Sequence, residues 1–278
     1  MSRPCTGIRI SFLILFLPFF SFSQAKSFDT ASFYRHLVKE NLLPEQVAFC
    51  KMELKNQPDV LFKDSLYLNL ALAYYKLDDT SSANKRLNML PVKPRLSQSS
   101  AELYLSMLIT GKEYKKADTF LVYNKQLLSS SDFGELSTSM AILERRPIKQ
   151  DTAVSGYSPV IADIKHRYEN EPGHSAFLAG AFSAIIPGMG KFYLGYKQEA
   201  LSAFVGDVLL GAQTAESYIK AGPKSARFIL TGSLFGLFYG GNIWGSVVLA
   251  KKQKRDYKKQ LDYEIYNYYN TRIADGSH

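Results

Sequence analysis

Cysteine is nearly absent from this chain: 278 residues hold only Cys5 and Cys50. Cys5 lies in an N-terminal segment expected to be removed, which leaves one thiol and excludes an intramolecular disulfide. An exported domain built this way must be stable through packing alone. Cys50 stands among apolar neighbours and reads as a buried small hydrophobe. Histidine is scarce too: His36, His166, His174 and His278 share no metal-ligand spacing and have no cysteine partners. No Walker, Rossmann or nucleophile-elbow string is present, and the serines and aspartates are not ordered into a catalytic constellation. No catalytic residue, cofactor or metal ligand is assigned, and the chain does not read as an enzyme.

Charge is missing from two stretches. Pro172 to Gly190 and Phe228 to Ala250 contain no Asp, Glu, Lys or Arg. The net charge of +9 is concentrated elsewhere: residues 24–171 hold 20 Lys/Arg against 18 Asp/Glu, whereas Lys251 to Lys259 holds six basic residues and one acid. A basic run beside an apolar segment reads as a membrane-side anchor in contact with lipid, and a nucleic-acid-binding face is not expected.

Arg3 and Arg9 precede the apolar run Ile10 to Phe22, and Ser21-Phe22-Ser23 offers small residues where a signal peptidase reads. Residues 1–23 are therefore expected to be a secretory signal cleaved before Gln24. The competing reading is an uncleaved anchor. Against it, the run falls short of the roughly 20 residues needed to span a bilayer, and Pro18 interrupts it. The Phe-Ser-Phe-Ser-Gln ending resembles signals of the Bacteroidota, which implies a bacterial inner membrane facing a periplasm.

Two windows align when shifted by 34 residues. Tyr67, Leu70, Ala71, Tyr74, Ala83 and Leu87 of the first match Ala101, Tyr104, Leu105, Leu108, Ala117 and Leu121 of the second. With the string Gly111 to Ala117, this pattern resembles the tetratricopeptide repeat, a helix-turn-helix unit. Phe33 to Glu40 and Glu45 to Asn56 form a degenerate hairpin upstream, and Phe133, Leu136, Met140 and Leu143 mark a capping helix downstream. The resemblance implies a repeat domain over 24–146 whose first helices line a concave, protein-binding face: Leu68, Leu72, Tyr75 and Lys76 in one unit, Glu102, Ser106 and Ile109 in the next. A generic helical bundle is the alternative.

Residues 147–174 are expected to be a linker with one short polar helix, Val160 to Tyr168. A transmembrane helical module is expected over 175–250. Its best span is Phe228 to Ala250, at 23 residues long enough to cross with tilt. Ala200 to Ala215 is a weaker span, because it holds Asp207. Three spans are expected, which places a basic, Tyr-rich amphipathic tail, 251–278, in the cytoplasm, in keeping with the positive-inside rule; two would leave it outside. Pro187, Gly188, Gly190, Tyr193 and Gly195 form a turn motif resembling bacterial TM2-type domains and other small membrane domains, with Tyr239 to Ser246 as its second part. That resemblance implies a two-to-three-helix membrane module. Gly232, Gly236 and Gly240 make a small-residue stripe suited to packing helices within the chain or between two copies. Asp207, Gln213 and Asn242 are polar groups at membrane depth that need partners. In the tail, Tyr257, Leu261, Ile265 and Tyr268 or Tyr269 recur at helical spacing, as for a helix that lies on the inner membrane surface or continues the last span.

The architecture expected is thus all-α, tetratricopeptide-like helical hairpins followed by a small transmembrane bundle. The function expected is a membrane-anchored scaffold or adaptor whose groove takes an unidentified periplasmic protein. The alternative is a small lipid-handling or transport module with accessory repeats.

Overall fold

Every described element is a helix, and no strand occurs among the described residues. The computed structural model describes residues 29–56, 60–148, 156–171 and 173–275; the expected signal segment lies outside them. The chain begins with α1 (Thr30–Lys39), α2 (Leu43–Asn56), α3 (Val60–Lys76), α4 (Thr80–Leu87), α5 (Gln98–Thr110), α6 (Tyr114–Tyr123), α7 (Ser130–Leu143) and α8 (Pro159–Glu169). Short polar side chains start several of them: Asp79, Ser97, Ser129 and Ser158 each accept a backbone N–H of the first turn.

The ends of α1, α3, α5 and α7 repeat one device. Asn41, Asp78, Lys112 and Arg145 take positive φ angles of 53°, 61°, 61° and 59°. In each case the next residue's N–H donates five residues back, as in Leu42 to Leu37, Asp79 to Tyr74, Glu113 to Leu108 and Arg146 to Ala141. This is a Schellman end closed by a residue other than glycine. The two middle copies are 112 − 78 = 34 residues apart, in register with the sequence offset. The outer pair closes α1 and α7 in the same way. Helix α8, which the sequence placed in a linker, packs on α7, with Ile161 and Ile164 fully buried in the main core.

The second half comprises α9 (Ala176–Ile185), α10 (Met189–Tyr193), α11 (Lys197–Ala221) and α12 (Ala226–Asp275). At 10 residues α9 rises only about 15 Å, half of a bilayer's hydrocarbon core. Helix α9 stops at Ile185, just before Pro187, too short for a full crossing, and α10 folds back on it. Helices α11 and α12 form a long antiparallel pair, with Tyr218 against Phe228, Gly211 against Phe235 and Asp207 against Asn242. Among the described residues one helix, α12, is long and apolar enough to cross a membrane, and only 17% of its apolar window is buried. A core helix of a soluble domain would be mostly covered.

Helix α12 does not stop at the edge of the bundle. Its 50 residues run on through the tail, and Leu261, Ile265, Tyr269 and Ile273 are buried in the same core as α3, α5, α7 and α8. Residues 251–275 thus continue α12 without a break, and their amphipathic stripe packs on α3, α5, α7 and α8.

Candidate functional site: a filled groove and a helix-pair cleft

The residues expected to receive a partner surround α12. Leu68 and Ile109 are buried in its core, Leu72 packs against it, and Ser106 is buried with its hydroxyl on the Glu102 carbonyl. The Tyr75 hydroxyl donates to Asn270, Lys76 sits beside Asn270 and Ala274, and Glu102 pairs with Arg272 at 3.3 Å. The sequence pattern brought these residues forward as a partner surface and did not show that α12 lies beside them. It also missed Glu135, which is 4% exposed and binds the Ser158 N–H, the Tyr268 hydroxyl and the Arg272 guanidinium. A charge this buried needs such partners. The Tyr269 hydroxyl donates to Ser139 at 2.9 Å, and burial holds its pKa well above the ordinary phenol value. Burial also raises the Glu102 carboxyl, with Asp132 adding to the effect. Farther up the helix, Arg145 pairs with Asp262 at 2.8 Å, Tyr257 donates to the Arg167 carbonyl, and Arg167 forks onto Glu264.

The end of α12 and the helices α3, α5, α7 and α8 that it packs on lie at the same end of the α11–α12 pair. Cys50 is fully buried against Tyr34, and burial pushes its thiol up to about 12, so it is inert at neutral pH.

The turn motif builds a tight helical hairpin. Pro187 leads into Gly188, which has φ +82° and lies so close to the Ala200 carbonyl that a Cβ would overlap it. Gly190 presses its Cα onto the Ala179 carbonyl oxygen, and a side chain there has no room. The Tyr193 ring meets His174 and Phe182 edge-on, and its oxygen accepts the Ser175 N–H. Gly195, at φ +88°, closes α10.

From this turn a polar chain crosses the bundle. The Gly190 N–H donates to Ser183 Oγ at 3.0 Å, Ser183 and Ser246 share a hydrogen bond of 2.8 Å, and Ser246 donates to the Asn242 carbonyl at 3.0 Å. Asn242 Nδ2 then donates to Asp207 Oδ2 at 3.0 Å. Ser183, Ser246, Asn242 and Asp207 are all buried, so the chain explains why the two halves of the motif belong together. Gln213, by contrast, is exposed. Asp207 and Asn242 lie in a cleft of about 770 Å³ between α11 and α12, with Gly206, Gly241, Leu237 and Phe238 as walls and Lys191, Gln198 and Glu199 also lining it.

The glycine stripe is mostly unused within the chain. A Cβ built at Gly232 would meet Thr214 Cγ2 at 3.6 Å, but nothing lies within 4 Å of one built at Gly236 or Gly240. Intramolecular packing therefore accounts for one member of the three.

Among the described residues no group of three or more His, Cys, Asp or Glu side chains is placed to hold a metal ion. The chain matches no protein-family model, no curated protein and no solved structure.

Proposed function

We propose that this chain is a membrane-anchored scaffold in which tetratricopeptide-like hairpins grip the chain's own α12, so that the repeat domain is held in a fixed pose beside the membrane. The observation that carries this reading is the continuity of α12 from the apolar pair to the buried Leu261, Ile265, Tyr269 and Ile273. Helices α11 and α12 cross the inner membrane as a hairpin, while α9 and α10 enter and return on one side. The surface of this bundle is inside out for water: Phe177, Ile219 and Leu237 are 79%, 80% and 73% exposed, while Ser183, Asp207 and Asn242 are buried. Two crossings place the repeats and the tail on the same face, and the N-terminal export signal makes that face periplasmic.

The concave face is thereby occupied, and a protein partner docks on the outer surfaces of the repeats. Photoreactive residues at Tyr75 and Ile109 are expected to crosslink within the chain, to α12. A discrete foreign partner trapped at both positions, with no crosslink to α12, would reject the filled groove. Single cysteines provide the topology: Thr271→Cys is expected to react with an impermeant reagent from the periplasm and Lys224→Cys only from the cytoplasm. The second reading, a lipid-handling or transport module with accessory repeats, draws on the buried Asp207 and Asn242.

A further inference from the structure

Asp207 and Asn242 together leave acceptor capacity unfilled. Asn242 Oδ1 is fully buried and has no hydrogen-bond partner, although the residue is only 7% exposed. An orphaned buried acceptor of this kind is destabilising unless something fills the place. Asp207, 4% exposed, receives one hydrogen bond from Asn242, and among the described residues no cationic side chain is recorded in an ion pair with it. Both residues line the cleft between α11 and α12. A carboxylate beside a free amide oxygen asks for a group that is positive and carries several N–H donors.

The remaining walls narrow the choice. A hard metal ion takes about six to eight oxygen ligands, more than one carboxylate and one amide oxygen supply. Leu237 and Phe238 line one side and are 73% and 59% exposed, a surface for an acyl chain. Lys191 supplies a positive charge suited to a phosphate, and Glu199 disfavours a headgroup of higher negative charge. Asp207 is 207 − 199 = 8 residues along α11 from Glu199, about 12 Å.

We propose that this cleft binds the primary-ammonium headgroup of an aminophospholipid, with the ammonium on Asp207 and Asn242 Oδ1, the phosphate toward Lys191 and a chain along Leu237 and Phe238. The inference rests on the membrane placement of α11 and α12 and on no role of the groove. Wrong cysteine accessibility would overturn the placement, whereas correct accessibility without lipid binding would overturn only the headgroup site.

The test is native mass spectrometry of the full chain, released from nanodiscs of phosphatidylethanolamine, phosphatidylcholine or phosphatidylglycerol. Retention of phosphatidylethanolamine is expected to exceed that of phosphatidylcholine by about tenfold or more, because the quaternary ammonium has charge but no N–H to give Asn242. Soluble phosphoethanolamine is expected to displace the lipid and phosphocholine is not. Asp207→Asn is expected to abolish the preference. Gly206→Leu is the second variant: a Cβ there meets nothing within 4 Å, and the longer side chain is expected to block the cleft with the carboxylate intact. Equal retention of the two lipids, or a preference that survives Gly206→Leu, overturns the proposal.

Discussion

Between Ala226 and Ala250, α12 buries Thr231, Asn242 and Ser246 and exposes Ile229, Leu237 and Trp244; between Lys251 and Asp275 it buries Leu261, Ile265, Tyr269 and Ile273 and leaves most of its lysines outside. One uninterrupted helix thus follows two opposite rules. In the second half apolar burial drives association, at roughly 1.5–3 kcal/mol for each large side chain covered. In the first half that drive is absent if lipid is the solvent, and small residues, close backbone contact and hydrogen bonds have to hold the helices. The difference separates what a mutation should do in each half.

The largest effect is expected in the groove. Tyr269→Ala removes a fully buried ring and the donor to Ser139, and should cost about 3–5 kcal/mol. Hydrogen exchange would then rise along both α5 and the last turns of α12. Unchanged protection of α5 would mean that the groove does not depend on the helix.

Gly190→Ala comes next, at about 1–3 kcal/mol for overpacking, because the new Cβ meets the Ala179 carbonyl, a backbone atom that cannot swing aside. The expected readout is a lower unfolding temperature in detergent together with loss of protection at α9, while the repeats stay folded. Ser246→Ala should cost about 1 kcal/mol by breaking the link between Ser183 and the Asn242 carbonyl. Gly236→Ala sharpens the comparison at the other extreme: with open space around it, stability should move by less than about 0.5 kcal/mol. A large loss there would reveal a second copy packed on the stripe.

The smallest effect is electrostatic. A hydrogen bond from Arg167 holds the Glu264 carboxyl below its usual range. A depressed carboxylate stabilises the fold fully above its unfolded pKa, about 4.3, and loses that contribution as pH falls through the folded value. Glu264→Gln should therefore flatten the acid limb of a stability profile below about pH 4.3. Protonation of Glu102, whose pKa is raised, works in the opposite direction and remains in that variant.

Some of this was legible from local chemistry. The helix-turn register of Asp78 and Lys112, the Pro-Gly reversal at Gly188 and the stripe from Tyr257 to Tyr269 all follow from residue type and spacing, which act within one or two turns. The outer hairpins were harder to read, since Asn41 and Arg145 adopt the same left-handed end without a matching sequence motif. The missed partners Glu135, Ser139 and Asn270 are ordinary surface types that become significant only when helices distant in sequence meet.

By itself, then, the sequence determined which segments are helical, where Gly188 and Gly195 must bend, and that α12 has two unlike halves, because those depend on propensity, sterics and periodicity. Tertiary structure decided which face the tail stripe meets. A row of Leu, Ile and Tyr among lysines has the same pattern whether it rests on lipid or in a groove, and only the arrival of Tyr75, Glu102 and Glu135 at its polar edges distinguishes them.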